Sequence, residues 1–97
     1  MLIDSADPPS LNANHPYDNT VFEGENLTLQ CNVTDANPQP NITWYRVPRS
    51  NTALSYGVNL TFINVSRYDD GKYYCVVENG IGKIISRTSS VNVLRKL

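Results

Sequence analysis

The sequence is short of nearly everything that catalysis or metal binding requires. Among its 97 residues there is one histidine, His15, beside Pro16 in a polar stretch, and there are two cysteines, Cys31 and Cys75. Metal sites are built from clusters of His, Cys and carboxylate ligands, and this set is too sparse to form one. No serine or cysteine has an identifiable base beside it, so a nucleophile would lack its activating partner. The carboxylate pairs Asp69–Asp70 and Glu23/Glu25 stand in turn-like sequence, where solvent reaches them. The glycine-bearing segment Asn79-Gly80-Ile81-Gly82 is followed by strand-like residues, with no helix whose N-terminus could hold a phosphate. The expectation is a non-catalytic chain without metal or cofactor.

Charge of one sign is also lacking. Eight Lys and Arg face nine Asp and Glu, for a net charge of −1, and they are scattered. That argues against nucleic acid as a partner, which would need a basic stripe. No apolar run approaches the ~20 residues of a membrane-spanning helix. The start, Met1-Leu2-Ile3, is cut short by Asp4 and lacks the apolar core of roughly seven or more residues that a secretory signal carries. The length fits one domain. The expected organisation is a flexible leader over 1–8, one domain over 9–95 and a linker start at 96–97. We expect a module of a longer protein, attached to a membrane only through an anchor elsewhere in the parent chain.

What the sequence does have is alternation. Leu27, Leu29, Cys31 and Val33 interleave with Asn26, Thr28, Gln30, Asn32 and Thr34, the period of two of a strand with one buried face. Ile42 and Trp44 repeat the pattern, as do Val58, Leu60 and Phe62, and then Tyr73, Cys75 and Val77. Val65 is expected to tuck under the turn before the last of these. A kinked first strand in two parts is expected between Leu11 and Val21, because Asn, Pro and Asp interrupt it. Asp35-Ala36-Asn37-Pro38-Gln39-Pro40 reads as a turn, and Asn79-Gly80 as a hairpin turn in which both residues accept positive φ. In the last strand, Lys83 to Val93, Ile84 is out of phase with Val91 and Val93. A β-bulge between Ile85 and Ser90 restores the register. Only a short strand fits between Val47 and Gly57, and nothing suggests a helix longer than one turn.

Asp69-Asp70-Gly71-Lys72-Tyr73-Tyr74-Cys75, read with Cys31 and Trp44, resembles the immunoglobulin superfamily in its I-set or C2-like form. The runs Val21-Phe22-Glu23-Gly24 and Asn37-Pro38-Gln39-Pro40-Asn41-Ile42-Thr43-Trp44-Tyr45 carry the resemblance further. It implies an all-β, two-sheet antiparallel β-sandwich of about seven strands, with the strand usually lettered C′ or the one lettered D abbreviated. It also implies a Cys31–Cys75 disulfide joining the sheets, with Trp44 packed on the sulfurs and the Tyr73 phenol bonded to upstream backbone. Two buried thiols remain the alternative in a reducing compartment. Asp69 and Gly71 are expected to be structural. Asp69 either meets Arg49 or Arg67 or caps local N–H groups.

Five N-x-[ST] sequons occur, at Asn26, Asn32, Asn41, Asn59 and Asn64, where this composition would give about two by chance. On a strand, the hydroxyl two residues on shares the wet face with its Asn, so spacing and geometry agree. Sugars at Asn26, Asn32 and Asn59 would shield one sheet. The opposite, G-F-C face would present Tyr45, Lys72, Tyr74, Val76, Glu78 and one of Ile84 or Ile85. Aromatic, apolar surface of that kind suits a protein partner. The alternative is that Tyr45 and Tyr74 form only a cross-strand pair on a solvated sheet. The functional expectation is an extracellular recognition or adhesion module of a cell-surface protein. It would bind a protein ligand or a second copy, beside neighbouring immunoglobulin-like domains. The alternative is an intracellular structural module like those of sarcomeric scaffolds.

Overall fold

A computed structural model describes residues 7–11, 18–48 and 52–96. His15, Arg49 and most of the expected leader lie outside these residues. Ten strands are found among them, in chain order β1 Asp7–Leu11, β2 Asp18–Phe22, β3 Leu27–Gln30, β4 Val33–Asn37, β5 Asn41–Arg46, β6 Ser55–Tyr56, β7 Asn59–Phe62, β8 Gly71–Glu78, β9 Lys83–Ile85 and β10 Ser89–Leu94. A single 3-10 turn covers Arg67–Asp69.

One sheet runs β2-β10-β8-β5-β6, with β9 also on β8, and the facing layer consists of the ladders β1–β4 and β3–β7. The Cys31–Cys75 disulfide crosses between the layers, with Cα atoms 6.4 Å apart. Around it Val21, Leu29, Trp44, Leu60, Val65, Tyr73, Val77 and Val91 are buried together. These are the inward positions that alternation indicates, and their removal from water supplies the main driving force for folding.

The first strand does divide in two. β1 pairs antiparallel with β4, whereas β2 pairs parallel with β10. The sandwich is therefore antiparallel except at this edge, because the chain changes sheets between the two parts. β1 already begins at Asp7, ahead of the expected domain start at residue 9, and Pro9 is buried.

Three local expectations need correction. Asp35, Ala36 and Asn37 belong to β4, not to a turn. Pairing with β1 overrides their weak β-propensity, and the turn starts only at Pro38. Val58 lies before β7 and is 44% exposed instead of buried. Its carbonyl accepts the Cys31 N–H at 2.8 Å, so that segment contributes through backbone. At the hairpin only Gly80 has positive φ. The Asn79 side-chain oxygen accepts the N–H groups of Ile81 (3.0 Å) and Gly82 (3.1 Å), so Asn79 closes the loop by bonding and not by a left-handed backbone.

The short strand β6 pairs with β5 through Thr43↔Tyr56 and Trp44↔Ser55. It therefore takes the C′ position, and among the described residues no strand takes the D position. The bulge falls where expected. β9 meets β8 as Val76↔Ile85 and Val77↔Ile84, and β10 resumes one residue out of step as Ser89↔Tyr73 and Val91↔Gly71. Ser86 fills the gap. Its hydroxyl accepts the Cys75 N–H at 2.9 Å and donates to the Arg87 carbonyl at 2.9 Å.

Candidate recognition site

The corner that orients β8 is built from side chains bonding to backbone. The Tyr73 hydroxyl donates to the Asp69 carbonyl at 2.6 Å. Burial pushes the Tyr73 phenol above its ordinary pKa, with the nearby Arg46 charge opposing and the Asp69 and Asp70 carboxylates adding to the rise. Asp69 caps local backbone, accepting the Ser66 N–H at 2.8 Å in a reciprocal box with the Ser66 hydroxyl. The cap expected for Asp69 is thus present, and Arg49 lies outside the described residues.

Arg46 escaped the sequence reading. Its guanidinium lies 5.5 Å from the Tyr73 ring centre and donates to the Asp70 carbonyl at 2.7 Å. A Cβ at Gly71 would come within 3.1 Å of that guanidinium, which would have to shift to admit it. The sequence carried no signal for it, because Arg46 meets Tyr73 only through the pairing of β5 with β8. Trp44 is 2% exposed and donates its indole N–H to the Gly57 carbonyl at 3.1 Å. Gly57 (φ +103°) turns the chain between β6 and β7.

The two outer faces differ. On the β3–β7 face, Thr28 stands opposite Thr61, their hydroxyls 3.2 Å apart, and Asn59 stands opposite Gln30. Thr28 and Thr61 are the sequon hydroxyls of Asn26 and Asn59, and all four residues are exposed. Asn32, just after β3, is half-buried. Asn26 accepts the Asn64 N–H at 2.9 Å through its side-chain oxygen, so these two sequons adjoin at the end of this face. Asn64 has φ +53° and is exposed, and its Ser66 hydroxyl serves as the cap described above.

The other face is apolar in rows. Ile85, Val76, Thr43 and Tyr56 follow one another across β9, β8, β5 and β6. Ile85 is 54% and Tyr56 77% exposed, and of the two isoleucines it is Ile85 that points out. Tyr45 and Tyr74 stack in the next row, ring centres 5.6 Å apart. Lys72 and Glu78 are exposed at the two ends. Tyr74 needs correction as a contact residue. It points outward but is only 9% exposed, because the Tyr45 ring and its strand neighbours cover it. Asn41 is exposed and directly opposite Glu78, so this sequon lies on the same face, at one end.

No group of three or more potential metal ligands gathers among the described residues. No helix there is long and apolar enough to cross a membrane.

Two layers pinned by a disulfide beside a buried Trp, with a Tyr bonded back to the corner, define an immunoglobulin-type β-sandwich. A family model described as immunoglobulin domain matches residues 8–79, and the chain belongs to that family. It is 34% identical to Roundabout homolog 2 of Homo sapiens over 89% of this chain and 7% of that protein. It is 33% identical to MAM domain-containing glycosylphosphatidylinositol anchor protein 1 of Gallus gallus over 97% of this chain and 10% of that protein. The chain thus spans a small part of the relatives it matches. Among solved structures, a chain of the complex of Dpr11 immunoglobulin domain 1 with DIP-gamma aligns at TM-score 0.75 and 28% identity, over 89% of this chain and 47% of that one. A chimeric titin Z1Z2 aligns at TM-score 0.78 over 96% of this chain and all of that one. At 22% identity, that likeness shows the fold alone.

Proposed function

We propose that this chain is an extracellular, non-catalytic protein-recognition module from the ectodomain of an adhesion protein or receptor. It sits beside further immunoglobulin-like domains of its parent chain. It engages a protein ligand or a second copy through the outer face of β9, β8, β5 and β6, while sugars on Asn26, Asn32, Asn59 and Asn64 cover the opposite face and its end. The observation that carries this reading is the asymmetry of the two faces. One is laid with sequons and paired threonines, and the other bears exposed Ile85 and Tyr56, with Val76 and Tyr45 half-buried between them. Burying such apolar surface against a partner is favourable at roughly 25 cal/mol per Å² before association costs. Lys72 and Glu78 supply charge at the two ends, where it steers encounter and register.

The excess of sequons supports this reading over an intracellular scaffold module, whose asparagines would never meet the glycosylation machinery. A single face of this size implies weak affinity, raised by tandem or clustered display. The test is to secrete the chain from a eukaryotic host and cluster it on beads. Bead–bead adhesion and binding to a panel of purified cell-surface ectodomains are then measured. Ile85→Lys and Lys72→Glu should abolish the binding found, and Gln30→Lys on the opposite face should leave it intact. The reverse pattern would reassign the face.

A further inference from the structure

At the β5 end of the apolar face lies an open groove of about 600 Å³, lined by Pro40, Asn41, Thr43, Tyr56, Val58 and Glu78 among others. Its size falls within the ~300–1,000 Å³ that small-molecule sites occupy. Two of these residues, Asn41 and Thr43, are the first and third of a sequon. We propose that this groove seats the innermost N-acetylglucosamine of a glycan on Asn41, stacked on the Tyr56 ring. The inference rests on the extracellular, glycosylated reading proposed above, extends it to the Asn41 sequon, and adds where that sugar goes.

Register places the parts. Asn41 pairs with Glu78 on β8. On the other side Thr43 pairs with Tyr56, and the Gly57 N–H donates to the Ile42 carbonyl at 2.9 Å, which sets Val58 across from Asn41. A sugar leaving the Asn41 amide therefore starts between a carboxylate and an isopropyl group. Tyr56 stands one step away on the diagonal, within reach of a long substituent. An N-acetylhexosamine matches this setting. It has an apolar C–H face for an aromatic ring, an acetamido methyl for Val58 and Pro40, and hydroxyls that can donate to the Glu78 carboxylate.

The occupant is chosen by attachment. Any peptide or second copy would have to compete with a group tethered inside the groove, whose effective concentration is very high. The exposure of Tyr56 (77%) and Val58 (44%) then describes the bare polypeptide, and the sugar supplies the cover. Asn59 offers no such seat, because it faces Gln30 on a surface of paired threonines. A further consequence is that the partner face is limited to its other end, around Ile85, Tyr45 and Lys72.

The test is a thermodynamic cycle on the chain secreted with its other sequons intact, comparing wild type, Asn41→Gln, Tyr56→Ser and the double variant. Peptide mass mapping reads Asn41 occupancy, and nuclear Overhauser measurements on chain with isotope-labelled sugar read its proximity to Tyr56. The expected result is an occupied Asn41 and cross-relaxation between its first sugar and the Tyr56 ring. Asn41→Gln should lower Tm by roughly 3–6 °C with Tyr56 present and by less than half as much with Ser there. Tyr56→Phe should keep the coupling, because the ring face and not the hydroxyl makes the contact. A bare Asn41 would remove both the sequon reading at this site and the inference. An occupied Asn41 with additive effects and no cross-relaxation would remove the inference alone. Protection of Tyr56 by self-association in the Asn41→Gln chain would assign the groove to a second copy instead.

Discussion

The two halves of β8 are opposites in how they are held. From Gly71 to Cys75 nearly every group is engaged. Tyr73 bonds the corner, Arg46 lies over its ring, Phe62 meets it edge-on with ring centres 5.1 Å apart, and the Cys75 N–H is held by Ser86. The Asp70 carboxylate accepts the Val93 N–H at 2.8 Å, tying the corner to β10. From Val76 to the hairpin, by contrast, only the inward residue Val77 is fully buried, and Glu78, Gly80 and Ile81 face solvent. Buried side-chain anchors are gathered at one pole, while the other, though laddered to β5 and β9, carries the exposed surface. That division suits the recognition role proposed above, since a scaffold anchored at one end can vary its exposed residues without unfolding.

The sharpest way to break the contrast is to cut the pin between the halves. Replacing Cys31 and Cys75 together by Ala removes a cross-link that closes a sequence separation of 44 residues. The expected loss is about 2–5 kcal/mol, read as the midpoint of denaturant unfolding. If stability falls by less than about 1 kcal/mol, packing around Trp44 holds the layers without the bridge.

The next largest effect lies, against the trend, in the open half. A Cβ on Gly82 would meet the Pro8 Cβ at 2.8 Å. Gly82→Ala is therefore expected to cost about 1–3 kcal/mol if β1 stays in place, or to push β1 off β4. Hydrogen exchange distinguishes these outcomes. Local release should speed exchange of the amides in β1 and β4 while β8 stays protected. Uniform acceleration would mean that the hairpin and the core are one cooperative unit and that the contrast is shallower than the contacts suggest.

Within the rigid half, Tyr73→Phe deletes the hydroxyl bond and leaves the ring contacts. About 0.5–1.5 kcal/mol should be lost. The same phenol gives a pH signature. Its folded pKa is raised, so the stability it contributes is complete below the unfolded value of about 10 and is lost as pH climbs through the folded value. Thermal unfolding followed from pH 8 to 11.5 should show an alkaline decline in the wild type that is smaller in Tyr73→Phe. Equal declines would place the alkaline sensitivity elsewhere.

Much of the rigid half was legible in the sequence, because its residues act through period and type. Cys31, Trp44, Tyr73 and Cys75 announce buried positions, and the phase break between Ile84 and Val91 announces the bulge. Arg46 was not legible, since its role comes from register with a strand far along the chain. The strand at Asp35–Asn37 was hidden by turn-forming residues that tertiary pairing overrode. On the outer faces the alternation rule gave direction but not exposure. It placed Tyr74 outward, yet Tyr45 covers it, and period alone cannot report what a neighbour's ring conceals. The sheet membership of β6 was equally hidden, because two residues carry no period.

The smallest effect on stability separates the two halves most directly. Ile85 pairs with Val76 at the start of the open half and is 54% exposed, whereas its neighbour Ile84 packs against the core. Ile85→Lys should change unfolding free energy by no more than about 0.5 kcal/mol, as surface substitutions do. Ile84→Lys would strand an ammonium group against Val77, so a destabilisation of at least about 2–3 kcal/mol is expected. Both are measured by denaturant titration of the secreted chain. If the two variants cost the same, β9 is not fixed in the register that sends alternate side chains to opposite sides. The apolar row ending at Ile85 would then not exist as a surface. If they differ as expected while Ile85→Lys removes binding, adjacent residues of one strand divide the work, one holding the sandwich and the other meeting the partner.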